Sequence, residues 1–221
     1  MKLLGHYLSP FTRRVAVSLH ALEIPFELEE LSVIQQPERV RPHNPTLRIP
    51  TVVLDDGEAL IESDAILDEI DQMVGPTRAL VPPAGRERRR VMQITAMALA
   101  SMDKAQWGYY ERRFRPEDKV HQPWIDHNNN QCLGGLRHLE TIASGVTPSG
   151  WLAGTPAMTQ ADITTAVVVS FVREGRPELK IPDIVPDLCG FAARCEELTA
   201  FRNAAMPASQ PGRPGVWMPR P

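Results

Sequence analysis

The chain has 221 residues, a formal net charge of -3 at pH 7 and 43% hydrophobic residues. That length suffices for one large or two small domains with a sizeable core. The charge argues against a protein that works on nucleic acid, which shows a concentrated basic face. No apolar run reaches the roughly 18 residues of a membrane span, and the opening Met1-Lys2-Leu3-Leu4 turns polar by Ser9 and Arg13, without the apolar stretch of a signal peptide. Cys132, Cys189 and Cys195 fall at scattered spacings in the second half. An odd number without CxxC pairing reads as buried or free thiols in a reducing compartment, so a cytoplasmic location is expected. The six histidines form no ligand-spaced pattern, so no metal is expected.

Lys2 to Tyr7 reads as a first strand. Ser9-Pro10 then opens a helix, with proline at the first helical position where a missing N–H costs nothing. Val15, Leu19 and Leu22 recur at helical spacing, Pro25 stops the helix, and Phe26 to Leu31 reads as a second strand. Gln35 to Arg48, broken by Pro37, Pro42 and Pro45, is at most a broken helix with loop. Thr51 to Leu54 and Ala59 to Ile61 flank Asp55-Asp56-Gly57, a hairpin signal. Ser63 is placed to cap a further helix whose Ile66, Leu67, Ile70 and Val74 share one side.

Gly75-Pro76 and Pro82-Pro83-Ala84-Gly85 punctuate the chain as a linker. Beyond them only helices are expected, over Arg86 to Gln106, Trp124 to Ala143, Thr159 to Arg173 and Pro186 to Phe201. The basic run Arg86-Glu87-Arg88-Arg89-Arg90 reads as a solvated helix start or a dimer contact. Pro207 to Pro221, rich in proline and glycine, reads as an extended strap or a loose tail. The pattern is β-α-β-α-β-β-α followed by helices, an α/β domain over 1–76 and an all-α domain over 86–221.

Four motifs stand in order on this frame. Leu8-Ser9-Pro10-Phe11-Thr12-Arg13-Arg14-Val15 follows the first strand. Asn44-Pro45-Thr46-Leu47-Arg48-Ile49-Pro50-Thr51 opens the third strand, where proline is tolerated only at an edge or first position. Glu62-Ser63-Asp64-Ala65-Ile66 follows the hairpin. Trp151-Leu152-Ala153-Gly154 precedes Thr159-Gln160-Ala161-Asp162-Ile163, in which Asp162 takes the reciprocal capping place of Thr159.

Together these motifs resemble the cytosolic glutathione transferases of the serine type, over most of the chain. The resemblance implies a thioredoxin-like domain joined to an all-helical one, a homodimer, and glutathione as co-substrate for conjugation to small electrophiles. It implies that Ser9 stabilises the glutathione thiolate. A hydroxyl at a helix N-terminus can donate to an anion that the helix dipole also favours. Phe11, Arg48, Ile49, Pro50, Glu62 and Ser63 would bind glutathione, with a cis Pro50 turning the Ile49 backbone towards the cysteinyl part. Glu62 would meet the γ-glutamyl amine, and Ser63 its carboxylate. Arg39, Arg41, His43 and Arg48 all remain open for the glycyl carboxylate.

Tyr7 is the rival hydroxyl. Ser9 is preferred because Tyr7 reads as a strand residue, whereas Ser9 stands at the strand–helix turn. An electrophile pocket is expected from Tyr7, Trp107 and Tyr110, with Tyr109 and Phe114 nearby; the aromatic residues beyond the linker serve equally well as helical packing. The absence of cysteine from the first domain argues against the glutaredoxin-like branch. A glutathione-dependent isomerase of the maleylacetoacetate type ranks second, since that branch favours a Ser-Ser-Cys opening. A transferase-like regulatory protein without turnover is the non-enzymatic alternative.

Overall fold

A computed structural model describes residues 1–207. The chain forms two compact units: one holds residues 1–83 and the described residues from Glu197 on, the other residues 84–196.

In the first unit, β1 (Lys2–Gly5) pairs in parallel with β2 (Glu27–Glu30) and antiparallel with β3 (Thr51–Val53), which pairs antiparallel with β4 (Ala59–Ile61). The order β2-β1-β3-β4, with α1 (Pro10–Ala21) as the crossover between the parallel strands, is thioredoxin-like. Successive strand residues point to opposite faces. Leu4 therefore packs with Leu31 and Val40, the last in the short α2 (Pro37–Val40). Leu3 and its partner Val52 are buried on the other face, with Val15, Leu19, Ile66 and Ile70 of α1 and α3 (Ser63–Val74) filling the core. Asp71 ties down the exit of α3 by accepting from Leu80 N at 2.8 Å and Val81 N at 3.0 Å.

The second unit is helical: α4 (Gly85–Phe114), α5 (Gln122–Ala143), α6 (Gln160–Gly175), α7 (Ile181–Ile184) and α8 (Pro186–Glu196). Ala161 to Val169 is buried without a break, so α6 is enclosed on all sides. Its Asp162 accepts from Thr159 N, Thr159 Oγ1 and Leu152 N, each at 2.8 Å, which seats the Trp151–Gly154 turn against the helix start. Arg176, 1% exposed, donates to Ala105 O at 2.5 Å and Asn129 Oδ1 at 2.6 Å. Gly108 is needed there: a Cβ on it would stand 2.6 Å from Arg176 Nη1.

Several expected boundaries move. β1 stops at Gly5, so Tyr7 lies in a turn and not in the strand. α1 stops at Ala21, well before Pro25, because Glu23 takes a left-handed φ of 56°. Ser63 is the first residue of α3 and not its cap; Glu62 holds the cap position, with φ 64° and no side-chain capping bond. The helix expected over Pro186–Phe201 breaks at an extended Leu198, and α9 (Thr199–Asn203) packs on α1 of the first unit, whereas the sequence reading gave the whole of 86–221 to the helical domain. The break lets Phe201 bury completely, and lets Ala204 O accept from buried Arg13 Nε at 2.8 Å. Apart from Pro207, the tail read as a strap lies outside the described residues.

Candidate active site

The strand register assembles three of the motifs. Leu4 lies opposite Thr51, and Thr51 opposite Ile61. One step further, the end of β1, the start of β3 and the end of β4 meet at the same end of the sheet. The chain there leads into the Ser9 turn, comes from Ile49-Pro50, and leads into Glu62-Ser63.

At the first of these, Ser9 N donates to His6 O at 3.0 Å, closing a turn that points the chain into α1. Ser9 is the N-cap, with φ -78° and ψ 118°, and its Oγ accepts from Thr12 N at 3.3 Å. A serine hydroxyl carries one proton and two lone pairs, and the Ser9 proton has no acceptor among the described residues. The turn depends on Gly5, whose φ is 148°; a Cβ there would stand 2.5 Å from Thr12 Oγ1. Thr12 Oγ1 and His6 Nδ1 are buried without a partner among the described residues. Burial pushes the Tyr7 phenol up, and the Glu30 carboxylate adds to it, while burial pulls the His6 imidazole down against Glu30. Phe11, the second residue of α1, is half-buried.

At the second, the Ile49–Pro50 bond is cis. Ile49 is half-buried, and its main-chain N–H and C=O make no hydrogen bond to another described residue. Asn44, fully buried, holds the loop: its Nδ2 donates to Arg48 O at 2.9 Å, and its Oδ1 accepts from Thr46 N at 3.1 Å and Thr46 Oγ1 at 2.7 Å.

At the third, Ser63 Oγ accepts from Arg14 Nη1 at 3.0 Å, and the same nitrogen donates to Asp64 Oδ1 at 2.8 Å. Burial lowers the Arg14 guanidinium from its ordinary value, and Asp64 opposes the shift. Arg48 Nη1 lies 3.0 Å from Glu62 Oε1, and both side chains are more than half exposed. Of the other basic residues, Arg39 pairs with Glu29 at 2.7 Å, whereas Arg41 and His43 are exposed and make no ion pair with a described residue.

Trp107 and Tyr110 belong to the second unit and form a ridge on α4: their rings lie 6.3 Å apart edge-on, and Phe114 follows at 5.1 Å from Tyr110. Trp107 is 48% exposed and donates to Asp103 Oδ1 at 3.2 Å. All three cysteines lie in the second unit as free thiols; burial pushes Cys132 up to about 11 and Cys195 up to about 12. Among the described residues no group of His, Cys, Asp or Glu is placed to hold a metal, and no helix is long and apolar enough to cross a membrane.

The sequence reading missed Arg14 and Asn44. A signal for Arg14 exists: Val15, Leu19 and Leu22 set the buried stripe of α1, and Arg14 and Ser18 run along its border. Asn44 carried none, since its task is set by a loop whose shape depends on its own side chain.

The family model for the glutathione S-transferase N-terminal domain matches residues 3–78, which hold all three of these motifs. Residues 3–78 form a domain of the glutathione transferase superfamily. The whole fold extends the match: a glutathione S-transferase of Methylobacillus flagellatus KT, solved with GSH bound, superposes with a TM-score of 0.84 at 26% identity, covering 92% of this chain and 98% of that one. An uncharacterized GST-like protein of Escherichia coli K12, YibF, is 35% identical over 104 residues, 47% of this chain. That match spans only 50% of the relative's own length, and the match to glutathione S-transferase U4 of Arabidopsis thaliana spans 51%. A probable maleylacetoacetate isomerase 2 of Drosophila melanogaster is 26% identical over 96% of this chain and 90% of its own.

Proposed function

We propose that the first unit binds glutathione and that Ser9 stabilises its thiolate for attack on an electrophilic carbon. The Ser9 hydroxyl carries this reading. Thr12 N–H fills one lone pair, the proton has no acceptor among the described residues, and the group sits at the positive end of α1. Lowering a thiol pKa by one unit takes about 1.4 kcal/mol, and a hydrogen bond to a charged group supplies about 1.5–3 kcal/mol.

Glutathione bound with GST relatives supports the choice of ligand. In this reading the Ile49 main chain, which makes no hydrogen bond to another described residue, receives the cysteinyl backbone beside Phe11 and Pro50. The γ-glutamyl ammonium displaces Arg48 from Glu62, and the γ-glutamyl carboxylate meets Ser63. Arg48, once released, or Arg41 or His43 takes the glycyl carboxylate; Arg39 is held by Glu29. The thiol proton leaves to solvent and the thiolate sulfur bonds to the electrophile. The electrons of the broken bond depart with the leaving group or are protonated in the adduct. The protein is taken as a cytoplasmic homodimer.

The relative that matches nearly the full chain is named as an isomerase, and this supports a second reading. In it the thiolate adds to a double bond, the carbon framework rotates, and elimination returns the glutathione. Counting glutathione decides between them, because conjugation consumes one per turnover and isomerisation none. In either case Ser9→Ala is expected to lower kcat by about 10- to 100-fold, with a smaller change in KM for glutathione. An unchanged kcat would remove Ser9 from the mechanism.

A further inference from the structure

We propose that Arg14 is a positioning residue: it fixes the direction in which Ser63 donates, and so makes the start of α3 selective for a carboxylate. This rests on the glutathione reading above. Arg14 is 2% exposed, and its guanidinium has donors only. With Arg14 Nη1 at 3.0 Å, Ser63 Oγ must accept, so its proton points away from the protein's own cation. Ser63 is itself buried, at 4% exposure, and that proton has no acceptor among the described residues. A hydroxyl held this way has one lone pair filled by Arg14 and its proton left to donate.

The surroundings point the same way. Helix starts leave their first N–H groups without partners inside the helix, and α3 has no side-chain cap, because Glu62 makes no capping bond. Arg14 therefore sets a buried positive charge beside an uncapped helix start whose hydroxyl proton is directed away from the guanidinium. Its counter-charge, Asp64, is 71% exposed and screened by water. A ligand bearing an α-carboxylate satisfies the hydroxyl and the N–H groups together. An uncharged end leaves the Ser63 proton unmatched.

The test compares glutathione with 4-aminobutyryl-cysteinyl-glycine, which keeps the amine but lacks the γ-glutamyl carboxylate, by calorimetric titration of the intact protein. Wild type is expected to prefer glutathione, and Arg14→Met to cut that preference about tenfold while moving the affinity for the analogue less than about twofold. Arg14→Lys, which keeps the charge but loses the planar fork, is expected to fall between them, and it carries the same comparison where the methionine variant fails to fold. A purely structural role for Arg14 would weaken both peptides alike and leave their ratio unchanged, which overturns the proposal. Equal binding of the two peptides by wild type overturns it too, with the glutathione reading intact. Binding of neither by wild type overturns both.

Discussion

Gly5 and Thr12 show how closely the candidate site depends on single atoms. Any β-carbon at Gly5 would collide with Thr12 Oγ1, and Thr12 N–H is the group that orients Ser9. Gly5→Ala is therefore expected to destabilise the protein by about 2 kcal/mol, through the contact and the positive φ together. Urea unfolding measures this. Adding Thr12→Ala should restore part of the loss by opening the space; no recovery in the double variant would place the cost in the backbone alone. The residue roles were legible in the sequence where chemistry and chain position coincide, as for Ser9 after the first strand and Pro50 before the third. They were not legible where a side chain reaches across the fold. Arg14 lies within a few residues of Ser9 in sequence, yet its partners are Ser63 and Asp64, about fifty positions further on.

Among the elements, α6 depends most visibly on one side chain. Asp162 gathers Thr159 N, Thr159 Oγ1 and Leu152 N in a buried setting. Asp162→Ala leaves those donors unsatisfied and is expected to cost at least about 2 kcal/mol, read as a lower urea midpoint with an unchanged slope. Asp162→Asn, which can still accept with one oxygen, should cost less. A midpoint within error of wild type for Asp162→Ala would show that the turn at Trp151–Gly154 holds without it. The helix core itself was readable from its Thr159–Asp162 spacing, because local capping needs no tertiary information. The ends of elements were less so. Ser63 looked like a cap by residue type, yet the backbone puts Glu62 in that place and gives Ser63 to Arg14. Tyr7 looked like a strand residue because hydrophobic patterning continued past Gly5, where the turn had already begun.

For the molecule as a whole, the order β-α-β-α-β-β-α and the helices after the linker followed from periodicity and from proline and glycine punctuation. The return of α9 to the first unit did not. Its burial against α1 is a contact between residues nearly two hundred positions apart, and nothing in the local pattern near Leu198 marks it. The functional account rests on the end of the sheet where the Ser9, Pro50 and Ser63 segments converge. The most direct measurement is the ultraviolet thiolate absorbance of bound glutathione, titrated against pH in wild type and in Ser9→Ala. The account predicts a bound thiol whose pKa lies at least about one unit below that of free glutathione, corresponding to about 1.4 kcal/mol, and a return to the free value in Ser9→Ala. Glutathione that binds to wild type without forming a thiolate at neutral pH, or a thiolate that persists in Ser9→Ala, would contradict it.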